Sequence, residues 1–229
     1  MCGRASLAKP KTEVESLFNR SIPAPLILPS YNLAPTHLHP IILSTHADSF
    51  SIGQWGLWTS GSKTMRPKML INSRIDSILA SDYYLRQACA HRCLIPLDGF
   101  YEWKQVGQQK IPHRFVLGPD EIFAVAGIFQ HSDQKPNVFP FSILTTEAND
   151  QVSVLHDRMP VILPREAWEW WIRSDIRAKD IEALAPSLPL PEMRCYEVDT
   201  KLNQSFENDP SLIRPHENPR PPVQLSLFD

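Results

Sequence analysis

Arg92-Cys93-Leu94-Ile95-Pro96-Leu97-Asp98-Gly99-Phe100-Tyr101-Glu102-Trp103-Lys104 is the stretch on which the fold turns. Two short runs, Cys93–Pro96 and Gly99–Trp103, are apolar or aromatic and are bounded by Pro96, Asp98 and Gly99, which is strand punctuation. The same grammar recurs outward in both directions. Ile41–Ser44, Phe50–Trp55 and Met69–Ile71 precede the stretch; His113–Leu117, Phe123–Phe129, Phe141–Leu144 and Val161–Leu163 follow it. Helices are fewer. Thr12-Glu13-Val14-Glu15 spells a capping box, with Val14, Leu17 and Phe18 at helical spacing, so a helix is expected over Thr12–Asn19. Ser81–Ala90 reads as a helix with Ser81 as its N-cap, Pro164–Ile172 starts with proline near its first turn, and Asp175–Leu184 is a further helix. Many short strands with helices interspersed favour an α+β domain built on a curled, barrel-like antiparallel sheet. The 22 prolines against 8 glycines agree with short elements joined by stiff turns.

Composition narrows the function classes. Hydrophobic residues make up 42% and charged residues 21% of 229, which is ordinary for a globular domain. No run of about 18 apolar residues is present, so no membrane span is expected. The start, Met1 to Lys11, lacks the apolar region of a secretory signal, and a cytoplasmic location is expected. In a reducing compartment the four cysteines, Cys2, Cys89, Cys93 and Cys195, are free thiols. Cys89, His91 and Cys93 offer three ligand types, but no second pair follows, so no metal site is expected. A net charge of −2 argues against a generic nucleic-acid coat; any nucleic acid is gripped by a local patch with a short footprint.

The chemistry begins at Cys2. Cysteine is small enough for the methionine ahead of it to be removed, which leaves an α-amine and a thiol on adjacent carbons. Such an aminothiol condenses with an aldehyde to an imine, and the thiol then closes a thiazolidine ring with the advantage of a tethered neighbour. Further segments look like site-building loops. Asn72 and Arg74 lie two apart, on one face of an extended segment. Glu102 stands inside an aromatic strand, where burial raises a carboxyl pKa toward the range of a useful acid. Thr145 to Asn149 closes a strand with hydrogen-bonding residues, and His156 lies two residues from Arg158. Taken singly, each also has a structural reading: Asn72 and Arg74 satisfy backbone groups or pair with Asp76, and Glu102 faces solvent.

Together these blocks resemble one family. Met1-Cys2-Gly3-Arg4, Tyr31 to Thr36, Trp55-Gly56-Leu57, Asn72-x-Arg74, Arg92 to Trp103, Thr145-Thr146-x-Ala148-Asn149 and His156-x-Arg158-Met159-Pro160 are similar to the SRAP family, the abasic-site processing proteins first named SOS-response-associated peptidases. The resemblance runs from Cys2 to about Trp171. It implies a covalent crosslink to abasic sites in single-stranded DNA, with weak lyase chemistry and no cofactor. It places the catalytic cysteine on Cys2 and the site asparagine, glutamate and histidine on Asn72, Glu102 and His156. The phosphate-holding arginines fall on Arg4, Arg74 and Arg158, with Arg86 one position off the pattern. The apolar shelf for neighbouring bases falls on Pro35 and a tryptophan of the Trp55–Trp58 segment. The pattern departs at Asp76, one methylene shorter than the family's glutamate. The other readings are a thiol peptidase using Cys2 and His156, and a noncatalytic single-strand-binding adaptor.

The character of the chain changes near Lys201, so the expected division is a domain over 2–200 and a flexible tail over 201–229. The tail ends Gln224-Leu225-Ser226-Leu227-Phe228-Asp229, which looks like the bacterial sliding-clamp peptide: Gln224 anchors, and Leu225, Leu227 and Phe228 supply the apolar contacts. A monomer at replication forks is the resulting expectation.

Overall fold

Along each strand, successive side chains point to opposite faces, and here that alternation sorts residues between two cores. The computed structural model describes residues 2–59, 67–118, 121–184 and 192–216. Strands Leu38–Leu43, His46–Trp55, Arg92–Leu97, Phe123–Phe129 and Val138–Glu147 pair in a ring that closes a barrel. Ile41, Leu43, Cys93, Ile95, Val125, Phe141 and Ile143 enter one core. Their neighbours Ile42, Leu94, Ala124, Ala126 and Leu144 enter the other, beneath the helices. Because both faces are covered, Arg92–Leu97 is buried at all six positions, which is why it reads as a continuous apolar run rather than an alternating one.

The barrel is closed by a parallel seam, Val138 opposite Ile52 through Phe141 opposite Trp55, in an otherwise antiparallel ring. Parallel pairing needs a long crossover, and residues 56–137 supply it. A second sheet, ordered Met193–Glu197, Gln109–Leu117, Gly99–Val106, Arg4–Leu7 and Ser30–Leu33, packs its Ala5, Phe100 and Phe115 side into the barrel core. Arg92–Leu97 and Gly99–Val106 thus belong to different sheets, joined at Asp98.

Asp98 makes that corner rigid. Its carboxylate accepts from the Ser6 hydroxyl at 2.7 Å, the Ala8 amide at 2.7 Å and the Arg114 guanidinium at 2.9 Å, and both ionic partners are 1% exposed. A Cβ on Gly99 would lie 2.6 Å from Arg114 Nε, so only glycine fits there.

Several expected elements recur with shifted ends. The first helix is Lys11–Phe18, capped by Pro10 without a side-chain bond. The capping box does not form: Thr12 is inside the helix, and Glu15 instead accepts from the Ile22 amide at 2.7 Å. Ser81 does cap Asp82–Ala90. Pro164–Ile172 divides into a 3-10 turn, Arg165–Ala167, and a helix, Trp168–Trp171; the last helix is Ala178–Leu184. The domain boundary at residue 200 is corrected. Turns Thr200–Asn203 and Pro210–Ile213 insert Leu202 and Leu212, both essentially unexposed, against Tyr101 and Val198 on the outer side of the second sheet. The packed unit therefore extends through this segment. Residues 217–229, including the clamp-like peptide, lie outside the described residues.

Candidate functional site

Cys2 precedes the Arg4–Leu7 strand and is fully enclosed, among the residues of the barrel core. Burial pushes its thiol pKa far above the usual cysteine range, and the nearby Glu102 charge adds to the shift. The thiol donates weakly to the Arg4 carbonyl at 3.4 Å.

Two strands and a loop carry the other candidate side chains. Glu102 lies on Gly99–Val106, two residues from the inward-facing Phe100 and so on the same face of the sheet. It is 3% exposed, and burial raises its carboxyl pKa to about 7, as its aromatic setting implied. Asn72 begins the short strand Asn72–Arg74, which pairs in parallel with Val138–Glu147. Its amide donates to the Cys2 carbonyl at 2.8 Å, a bond spanning 70 positions of the chain. His156 follows the one-turn helix Asp150–Ser153. Its Nδ1 lies 2.9 Å from the Arg158 backbone N–H and 2.8 Å from Asp157 Oδ1. These contacts require opposite protonation of Nδ1. The backbone donor is fixed whereas the Asp157 side chain is 85% exposed and free to turn, so Nδ1 accepts and Nε2 carries the proton in the neutral ring. Burial lowers the His156 pKa and favours that neutral form.

Beside these groups a single carboxylate organises two arginines. Asp76 accepts from Arg74 Nε at 3.1 Å and Nη2 at 2.8 Å through one oxygen, and from Arg158 Nη2 at 2.6 Å through the other. Hydrogen bonding from Arg74 holds the Asp76 pKa down to about 2. Arg158 is 5% exposed and also donates to the Thr145 carbonyl at 2.6 Å. Asn72 Oδ1, Thr145 Oγ1 and Arg158 Nε are buried without hydrogen-bond partners among the described residues. All three belong to Val138–Glu147 or to strands paired with its end. Buried polar groups are rarely left unsatisfied, so this cluster is suited to receive a polar ligand. Thr145 looked unremarkable in the sequence; its Thr-Thr setting at a strand end was the only signal.

Other candidates are placed differently. Trp55 cannot form an open shelf: it is 0% exposed, donates to the Ile71 carbonyl at 2.8 Å and stacks on Phe141. Its indole instead anchors the residue before Asn72. Trp58 is 59% exposed on a two-residue strand paired with Met69–Leu70. Pro35 is half-buried in a turn whose Thr36 amide donates to the Trp55 carbonyl at 2.7 Å. Arg4 is not an open cation; it donates to Asn32 Oδ1 and to the carbonyls of Leu202 and Asn203, clamping the carboxyl-terminal segment. Arg86 is exposed on Asp82–Ala90 and makes no hydrogen bond or ion pair among the described residues. Cys93 faces the barrel core, while His91 packs edge-on against Phe129 and His131. Among the described residues no group of three metal-ligating side chains converges, and no helix is long and apolar enough to cross a membrane.

Residues 1–205 match the model of the family described as SOS response associated peptidase (SRAP). The chain belongs to the SRAP family. A curated SRAP relative, abasic site processing protein YoqW of Bacillus subtilis, is 30% identical over 226 residues, covering 94% of this chain and 100% of its own. YedK of Escherichia coli is 26% identical over 94% of this chain and 100% of its own, and HMCES of Gallus gallus is 29% identical over 82% of this chain and 67% of its own. A crystal structure from Bacteroides thetaiotaomicron shares the fold, with a TM-score of 0.78 at 24% identity over 94% of this chain and 100% of that one.

Proposed function

We propose that the mature chain captures abasic sites in single-stranded DNA as a covalent adduct through Cys2. The observation that carries this reading is the enclosed Cys2 against a Glu102 whose pKa is about 7, with the Cys2 carbonyl held by Asn72. The naming of its curated relatives as abasic site processing proteins supports the substrate class. Removal of Met1 exposes the Cys2 amine. An abasic deoxyribose is a masked aldehyde, and Glu102, near its half-ionised state at neutral pH, serves proton transfer during ring opening. The amine attacks C1, water leaves, and an imine forms. The thiol then adds across the C=N bond, its proton passing to nitrogen, and the ring closes without any change of oxidation state. His156 is a second proton carrier through Nε2. Asn72 Oδ1 and Thr145 Oγ1 accept or share hydrogen bonds with the opened sugar, and closure suppresses strand cleavage by β-elimination, leaving only weak lyase activity. Arg74 and Arg158 hold a flanking phosphate, and Pro35 and Trp58 support a neighbouring base.

A thiol peptidase fits less well, because the Cys2 thiol donates to the Arg4 carbonyl at 3.4 Å rather than to the imidazole of His156 that would have to activate it. The terminal peptide Gln224–Asp229 supports recruitment by a bacterial sliding clamp; deleting it is expected to abolish clamp binding. For the capture itself, intact-mass measurement of the mature chain incubated with an abasic oligonucleotide is the test. It is expected to show Met1 missing and a heat-stable adduct heavier by the oligonucleotide. A wild-type-like stable adduct from Cys2→Ala overturns the proposal.

A further inference from the structure

Between the turns Thr200–Asn203 and Pro210–Ile213 the chain reads Gln204-Ser205-Phe206-Glu207-Asn208-Asp209. Phe206 is 78% exposed, and its ring meets no other ring among the described residues. A lone exposed apolar side chain is by itself ordinary; what sets this one apart is how firmly its backbone is held. The Glu207 amide donates to the Gln204 carbonyl at 3.2 Å, closing a turn with Phe206 at its third position. Asn32 grips that turn: its Nδ2 lies 3.0 Å from the Gln204 carbonyl, 3.0 Å from the Glu207 carbonyl and 3.3 Å from the Leu202 carbonyl. Asn208 ties the far side, its Oδ1 accepting from the Tyr31 amide at 2.7 Å. The chain on both sides of Phe206 is therefore pinned to Ser30–Leu33, while the ring is left in solvent.

The same turn is tied to the residues around Cys2. Arg4, two positions beyond Cys2, donates to the Leu202 carbonyl at 2.6 Å and to the Asn203 carbonyl at 3.3 Å. Trp103, which follows Glu102, donates from its indole to Asn203 Oδ1 at 2.7 Å. Asn32 stands three residues before Pro35 and accepts from Arg4 at 2.9 Å. Phe206 is thus three residues, at most about 11 Å of extended chain, from an asparagine bound by neighbours of both Cys2 and Glu102. Its surroundings choose among the parts of a DNA strand. Glu207 and Asp209 follow it in the chain and disfavour a phosphate there, whereas a flat, apolar ring suits the face of a base.

We propose that Phe206 is a stacking support for an unpaired nucleobase flanking the abasic site, the rigid turn presenting its ring to the strand as it leaves Cys2. The inference rests on the reading of Cys2 above for its substrate and adds a determinant of specificity to it. Stacking on an aromatic ring accepts any base, because every base has a π face. The contact therefore favours an abasic site with an intact neighbour of any identity and is lost only where that neighbouring base is missing. Phe206 takes no part in the proton transfers.

Fluorescence anisotropy of the full chain with three labelled oligothymidylates tests it. The first carries one tetrahydrofuran residue, an abasic analogue that cannot open to an aldehyde. In the second and third, the three nucleotides on one side or on the other of that residue are tetrahydrofuran as well. Phe206→Ala is expected to bind the first about tenfold more weakly than wild type, the loss of one stacked base, while Phe206→Tyr binds it as wild type does. On one of the two base-stripped oligonucleotides wild type and Phe206→Ala are expected to bind equally, which also identifies the side on which the ring sits. Equal affinities of wild type and Phe206→Ala for the first oligonucleotide overturn the proposal. The same loss on all three overturns it too, since it marks a defect of the turn rather than a missing base. Because the analogue forms no adduct, these affinities are read apart from capture: a wild-type chain that shows the expected pattern but gives no adduct with a true abasic oligonucleotide overturns the Cys2 reading alone.

Discussion

Glu102 couples the proposed chemistry to a cost in stability. Its carboxyl pKa rises from 4.5 to about 7 because burial disfavours the charged form. The folded chain thus holds this proton more tightly than the unfolded chain, so the group's effect on stability is harmless below about pH 4.5 and increasingly destabilising as pH rises through 7. The full loss above pH 8 is on the order of 3 kcal/mol. Glu102→Gln removes the ionisation, and its thermal midpoint is expected to exceed that of wild type at pH 8 but not at pH 4.5. The same substitution is expected to erase the limb near pH 7 in the pH profile of the crosslinking rate. That limb is the fall as the acid ionises; the opposing limb reflects the amine, which must be neutral to attack and ordinarily titrates near pH ~8. A profile identical in wild type and variant removes Glu102 from the proton-transfer role. The burial of Glu102 was legible from its aromatic neighbours. Its partnership with Cys2 was not, because one hundred residues separate them and only strand pairing closes that gap.

Among the elements, paired strands present the site and single carboxylates lock them together. Asp76 joins Asn72–Arg74 to Arg158–Pro160 by holding both guanidinium groups. Asp76→Ala is expected to weaken binding of an abasic oligonucleotide about tenfold, since Arg74 loses the acceptor that orients it, while Asp76→Glu restores most of the affinity; filter binding at two salt concentrations reads this out. Asp98 does the corresponding task at the corner between the sheets. Its removal strands Arg114 as a buried, uncompensated charge, and Asp98→Ala is expected to cost about 3–5 kcal/mol in denaturant unfolding. The long apolar strands were readable because both faces are covered. Arg4–Leu7, Asn72–Arg74 and Arg158–Pro160 were missed, being three or four residues long and partly polar; too short to show a period, they are strands only because a neighbour supplies the ladder.

For the molecule as a whole, the segment after Asp199 is part of the packing. Leu202 and Leu212 are buried against the second sheet, each worth about 1.5–3 kcal/mol. Truncation after Asp199 is therefore expected to lower the thermal midpoint markedly. The proline-rich composition suggested a tail from 201 because prolines forbid regular elements, but irregular chain packs well when anchored by isolated leucines. The class of fold and the long strands could be read from the order of residues, since strand period is a local property, whereas Cys2, Asn72, Glu102 and His156 were joined into one set only by the family resemblance. Three features emerge only in the folded chain: the barrel closes through a parallel seam, Trp55 and Arg4 are structural anchors, and Asp76 binds two arginines. Each of these depends on which face a side chain takes and on what distant chain meets it there, and no local pattern encodes that meeting.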